Sequence, residues 1–228
     1  SEILKGYKEL EKILNYFDLE LTPSINETYE LELYRILNLR NKASSLTKDV
    51  DDIINNGGEN QLVELKESII IDLNNKKHNP DKKLIEYKSL KLESKVAQEI
   101  CGFLNYSGGK ILFGIRDKDF FVSGCEDDLE LVDKGGSLQD KTDLLFKKLC
   151  DEHFLLANEV RSNMNINSGF YNNKFVVLID IFESNKLIFL KKNKLREDIF
   201  YKRIGTNCIP IKFEEITNYY EMINKFKN

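Results

Sequence analysis

Apolar positions in the first part of the chain recur at three- and four-residue steps. Leu4, Tyr7, Leu10, Leu14 and Phe17 fall on one face, which predicts a helix. Thr22-Pro23 breaks that pattern. Ser24 with Glu27 then forms a capping box for a second helix carrying Tyr29, Leu33, Ile36 and Leu37. A third short helix is expected over about 48–55, stopped at Gly57-Gly58. From Gly58 the period changes: Leu62 to Lys66 alternates as a strand, with Val63 and Leu65 on one face and Glu64 and Lys66 on the other. Asp72 to Lys88, rich in Lys and Asn and containing Pro80, reads as a long loop. Leu92, Val96, Ile100 and Phe103 mark an amphipathic helix. Ser107-Gly108-Gly109 then turns the chain into the apolar run 110–116, a buried strand.

Beyond it, Asp117-Lys118-Asp119 predicts a turn, 120–123 a returning strand and 138–151 a helix. Further strands are expected at about 159–166, 174–181 and 199–204, before a closing helix over 213–225. The pattern as a whole predicts an α+β fold, with a mixed, largely antiparallel sheet and packed helices. A small N-terminal helical element (1–57) precedes the main domain (58–228).

With 228 residues the chain is long enough for one sizeable core, and 41% hydrophobic residues are enough to fill it. No stretch approaches the roughly 18 apolar residues of a membrane span, and Ser1 to Gly6 carries no apolar signal run; the expectation is a cytoplasmic protein without a membrane. The four cysteines lack the close spacing of a zinc knuckle and read as reduced, structural thiols. His78 and His153 have no second His or Cys at helical ligand spacing.

The net charge of −4 argues against a general polyanion binder wrapped in positive field. Two local basic stretches nevertheless stand out: Lys76, Lys77, Lys82 and Lys83, and then Lys191, Lys192, Lys194 and Arg196. Gly108-Gly109-Lys110 is no phosphate-binding loop, because Leu104 stands where that motif needs glycine and Ile111 where it needs a hydroxyl.

Four segments in order carry a resemblance: Glu59-x-x-x-x-Glu64-Leu65-Lys66-Glu67-Ser68; Ile100 through Gly109; Gly114-Ile-Arg-Asp117 with Gly124; and Phe200-Tyr-Lys-Arg-Ile-Gly205, followed by Pro210 and Glu214-Glu215-Ile216. Together they resemble the AlbA-like domain of Schlafen proteins, also called a divergent AAA domain, over about three quarters of the chain. The resemblance implies a metal-dependent endoribonuclease acting on structured RNA such as tRNA. It makes Glu59, Glu64 and Asp117 the acids that hold Mg²⁺ or Mn²⁺. Arg116 stands where the family often has a first aspartate, and the segment between Ser68 and Leu90 is longer than expected. Two-lobed relatives form a clamp, which this single lobe would rebuild as a homodimer.

The residue chemistry agrees, since hard divalent cations prefer carboxylate oxygens and such an ion activates water for phosphodiester hydrolysis. Glu59 and Glu64 differ by an odd offset, so Gly57-Gly58 must let Glu59 curl back from a loop. Lys66, on the face of Glu64, is expected to stabilise developing negative charge. Lys76, Lys77, Lys82, Lys83, Lys202 and Arg203 are candidate phosphate contacts. The competing reading is a non-catalytic nucleic-acid-binding or transcription-regulatory module on the same fold.

Overall fold

In the computed structural model the described residues are 45–132, 135–191, 199–212, 214–216 and 218. The chain divides into two compact units, Ser1–Ser45 and Leu46–Asn228. The helices expected before residue 45 lie outside the described residues, as do Lys192, Lys194, Arg196 and most of the expected closing helix.

Helix α1 covers 45–55, all but its first residue in the second unit. Then follow β1 (Val63–Lys66), α2 (Leu73–His78), a 3₁₀ turn (Leu84–Tyr87), α3 (Leu90–Leu104) and β2 (Gly109–Phe113). After them come α4 (Glu126–Glu130), α5 (Leu138–His153), α6 (Ala157–Ser162), β3 (Met164–Tyr171), β4 (Lys174–Ile181), β5 (Phe189–Leu190), β6 (Ile199–Ile204) and β7 (Asn207–Ile211). One sheet has the order β1-β2-β4-β3, parallel only between β1 and β2, where α3 makes the crossover. The other, β5-β6-β7, is antiparallel. The fold is therefore α+β with mixed, largely antiparallel sheets, as the pattern predicts.

The two central strands, β2 and β4, are buried on both faces, which is why 175–179 reads as an unbroken apolar run. Ile111, Phe113, Phe175, Val177, Ile179 and Ile181 enter the main core with Ile100, Cys101 and Leu104 of α3. Their alternates Leu65, Leu112, Val176 and Leu178 pack with Leu46, Val50 and Ile53 of α1. Each of these fully buried aliphatic side chains contributes roughly 1.5–3 kcal/mol. Helix α3 also contacts β5, β6 and β7, so it is the element shared by both sheets. Ser89 caps it, accepting from Leu92 N.

Three of the predicted elements take a different form, and α4, β5 and β7 appear where no element was predicted. The expected loop 72–88 contains α2 and the 3₁₀ turn: Asp72 caps α2 by accepting from Asn75 N at 2.8 Å, and Tyr87 is buried with its hydroxyl bonded to backbone of residues 79 and 82. The strand expected from residue 159 begins at Met164, because 157–162 forms α6 first. The strand expected at 120–123 is reduced to a single bridge, Ile115 to Val122. All four cysteines are free and buried. No described helix is long and apolar enough to cross a membrane.

Gly102 fixes how closely β7 can approach α3: a Cβ built there would lie 2.3 Å from Cys208 Sγ. Gly102→Ala is expected to destabilise the fold by about 1–3 kcal/mol through overpacking. Gly102→Ala/Cys208→Ala should recover part of that loss in urea unfolding.

Candidate active site

The site begins where α1 ends. Gly57 and Gly58 adopt φ of 88° and 77°, which reverses the chain before β1. Glu59 then folds back along the strand, its Oε1 accepting from Leu65 N at 3.1 Å. This meets the geometric demand that the odd offset imposed. Across from it, Asp117 sits exposed at the tip of the hairpin after β2. A Cβ on Gly58 would lie 2.7 Å from Phe120 Cε1 and 3.6 Å from Asp117 Oδ1, so the two loops meet closely there.

Glu59 carries the electrostatic consequence. Burial pushes its carboxyl above the ordinary range, and the charges of Glu64 and Asp117 push further in the same direction, against Leu65 N and Lys66. These acids therefore feel one another. As a set, however, their oxygens do not all approach within 4.8 Å. Lys66 Nζ bonds Glu64 Oε1, satisfying the expectation that the two share a face.

Glu64 is 4% exposed, and its second oxygen accepts from Arg203 Nη2 at 3.0 Å. Here the structure corrects the expectation for Arg203, which is 1% exposed and cannot meet a phosphate. Its Nη1 donates to Glu99 Oε2 at 2.9 Å. Its Nε donates to Gln61 O at 2.8 Å, and its Nη2 also to Asn60 O at 3.1 Å. The guanidinium lies 4.0 Å from the centroid of Phe103. Burial follows from position, because β6 faces α3 and alternation turns Arg203 inward with Tyr201 while Lys202 points to the other face.

Glu99 was not among the sequence candidates, although it left a signal: a glutamate within the apolar face of α3, between Val96 and Phe103. Lys95, one turn earlier, pairs with it at 3.0 Å. Asp128 was also missed. Its Oδ1 accepts from Ser68 Oγ and from the amides of Ile69, Ile70 and Ile71, pinning the turn that leaves β1, while burial raises its carboxyl to about 6. No spacing in the sequence links residues so far apart.

Of the other basic candidates, Lys77, Lys82 and Lys83 are exposed, Lys76 pairs with Asp127, and Lys202 is half-buried. A groove of about 340 Å³ joins Lys66 and Glu67 to Leu73 and Asn74 of α2 and to Ser89, Lys91 and Leu92 at the start of α3. Elsewhere, Glu93, Glu152 and His153 form the trio of potential ligands, among the described residues, whose donor atoms all lie within 4.8 Å. Within it the buried Glu93 Oε2 accepts no hydrogen bond and is met by an ion pair. Glu93 Oε1 is 3.3 Å from His153 Nε2 and Oε2 is 3.3 Å from Lys88 Nζ; the His153 bond is the largest cause holding the Glu93 carboxyl down at about 2.

Removing the Arg203 charge strips two buried carboxylates of their buried partner, leaving Glu64 to Lys66 and Glu99 to Lys95 alone. Arg203→Met is expected to cost about 3–5 kcal/mol in chemical unfolding. Arg203→Lys should lie between, because a point charge cannot replace the planar fork.

A model of the Schlafen AlbA_2 family matches residues 59–212. No curated protein matches the chain. A crystal structure of the DIP2311 protein from Corynebacterium diphtheriae is similar over 72% of this chain at 17% identity, with a TM-score of 0.41; the chain spans 24% of that neighbour. The family match extends from Glu59, at the head of the acid segment, to the end of β7, and this chain belongs to the Schlafen AlbA_2 family.

Proposed function

We propose that the chain is a divalent-metal-dependent endoribonuclease acting on structured RNA, with tRNA the first substrate class to test. Membership of the family supports a nucleic-acid-related function. The observation that carries the finer reading is Glu59, folded back beside Glu64 and Asp117 with its carboxyl raised first by burial and then by their charge. Mutually repelling hard oxygen donors of this kind suit Mg²⁺ or Mn²⁺, and Glu59, Glu64 and Asp117 would hold the ion. Bound there, such an ion supplies Lewis acidity and a more acidic water.

The remaining work falls to the chain itself. Lys66 Nζ is positioned on Glu64 and 21% exposed, so it can pass from that carboxylate to a phosphate oxygen. Arg203 holds Glu64 from behind and anchors the carbonyls of residues 60 and 61, fixing the loop that carries Glu59. The groove beside Lys66, with exposed Lys77, Lys82 and Lys83 on the neighbouring segment, offers a path for backbone phosphates. A homodimer would supply the second half of a clamp; a monomer by sedimentation would remove that part of the proposal.

One observation favours the alternative, a non-catalytic binding module. The three carboxylates do not close to within 4.8 Å, and Lys66 already neutralises Glu64.

Because Glu64 also neutralises Arg203, its substitution confuses chemistry with folding. Glu59→Gln and Asp117→Asn are the cleaner tests. With labelled total tRNA and Mn²⁺, each should lower cleavage by at least about 10²-fold while leaving the unfolding midpoint nearly unchanged. Salt-sensitive RNA binding without cleavage by the unaltered chain would establish the alternative.

The raised Glu59 carboxyl also sets a pH dependence. The ion competes with a proton there, so Mn²⁺ affinity should rise as pH rises through the titration of Glu59, at a pH above the ordinary carboxylate range of about 4.3. Glu59→Gln should abolish that slope in a calorimetric titration.

A further inference from the structure

The hairpin that carries Asp117 has a second feature. Phe121 is 54% exposed, whereas the preceding Phe120 is tucked against Gly58. The chain achieves this by placing Phe120 at φ 53°, a conformation that bulky residues rarely adopt and that costs on the order of 1–3 kcal/mol. Local preference would not choose it. Two aromatic residues in sequence are thereby turned apart, one inward and one to solvent.

The exposed ring is also backed by a fixed cation. The Arg116 Cζ lies 5.0 Å from the Phe121 ring centroid. Its Nε and Nη2 donate to Glu67 Oε1 at 3.0 and 2.7 Å, and its Nη1 to Asp119 Oδ2 at 3.2 Å. The hairpin is closed beneath them by Arg116 N donating to Phe121 O at 2.9 Å and by Phe121 N donating to Asp119 Oδ1 at 3.2 Å. Glu67 in turn follows Lys66 directly in sequence, so the assembly is built onto the strand that carries Glu64.

We propose that Phe121, with Arg116 locked against it, is a stacking platform for an unpaired nucleobase next to the acid site. This rests on the nucleic-acid reading above. A planar guanidinium and an aromatic face attract any base through its π-surface, without needing hydrogen bonds to its edges. In a duplex the base faces are stacked and the deep groove is closed to side chains, so the platform selects a loop, bulge or end. The substrate class becomes RNA with an unpaired nucleotide at the cut.

The test compares the full chain with Phe121→Ala and Phe121→Tyr in EDTA, which suppresses cleavage. The probes are an unpaired RNA of about 12 nucleotides with internal 2-aminopurine and a blunt duplex of the same length. Phe121→Ala should weaken unpaired RNA about tenfold, abolish the 2-aminopurine quench and leave the duplex within about twofold; Phe121→Tyr should keep both signals. Unchanged affinity of Phe121→Ala for unpaired RNA, or equal losses on both probes, overturns the platform. So does a sedimentation shift without an affinity change, which would mean that a second copy covers the ring. Retained quenching without Mn²⁺-dependent cleavage would sink catalysis alone, and an unaltered chain that binds neither probe would sink both.

Discussion

The guanidinium of Arg203 is the interaction on which the site geometry depends. It comes from the three-stranded sheet, crosses the end of α3 and terminates on β1 of the other sheet. Burying a cation costs several kcal/mol unless its hydrogen bonds are met. Here Glu64, Glu99 and three backbone carbonyls meet them. A planar fork with fixed donor directions can do this only if those acceptors stay where they are, so the charge enforces the spacing between β6, α3 and the loop before β1. Apolar packing of the same volume would tolerate sliding.

That constraint gives Glu64 two tasks. It completes the charge balance of the buried network, and it presents its other oxygen toward Lys66 and the Glu59 loop. Glu59 and Asp117 have no comparable structural load, since one accepts a single backbone hydrogen bond and the other is exposed on a hairpin tip. Negative charge is thus concentrated at one edge of the sheet. Arg203 offsets part of it from inside and Lys66 part from the solvent side.

Much of this was legible in the sequence. The two-residue alternation at Val63 to Lys66 placed Glu64 and Lys66 on one face, and the odd offset to Glu59 required the glycine reversal that occurs. The apolar run of β2 and the helical period of α3 were equally direct. What failed were features set by distant partners. Arg203 looked like a phosphate contact because alternation alone does not say which face of β6 meets α3. Asp72 and Tyr87 order the Lys-rich segment through a cap and a buried hydroxyl, which outweighs its loop-like composition. The short α6 displaced the start of β3 because a polar, weakly alternating segment carries little information about where a strand begins.

The distribution of strain separates this edge from the rest of the fold. Among the described residues, three non-glycine positions have positive φ: Phe120, Asn172 and Asn173. The two asparagines make the tight turn between β3 and β4, a place where such residues are favoured and nothing further needs explaining. Phe120 has no such reason. Its conformation is maintained by packing against Gly58, itself at positive φ, and the same contact brings Asp117 to the Glu59 loop. Departures from local preference therefore coincide with the raised carboxyl and the exposed aromatic ring at a single sheet edge. Backbone strain held at a bulky residue beside a raised carboxyl marks this edge as built for something other than stability.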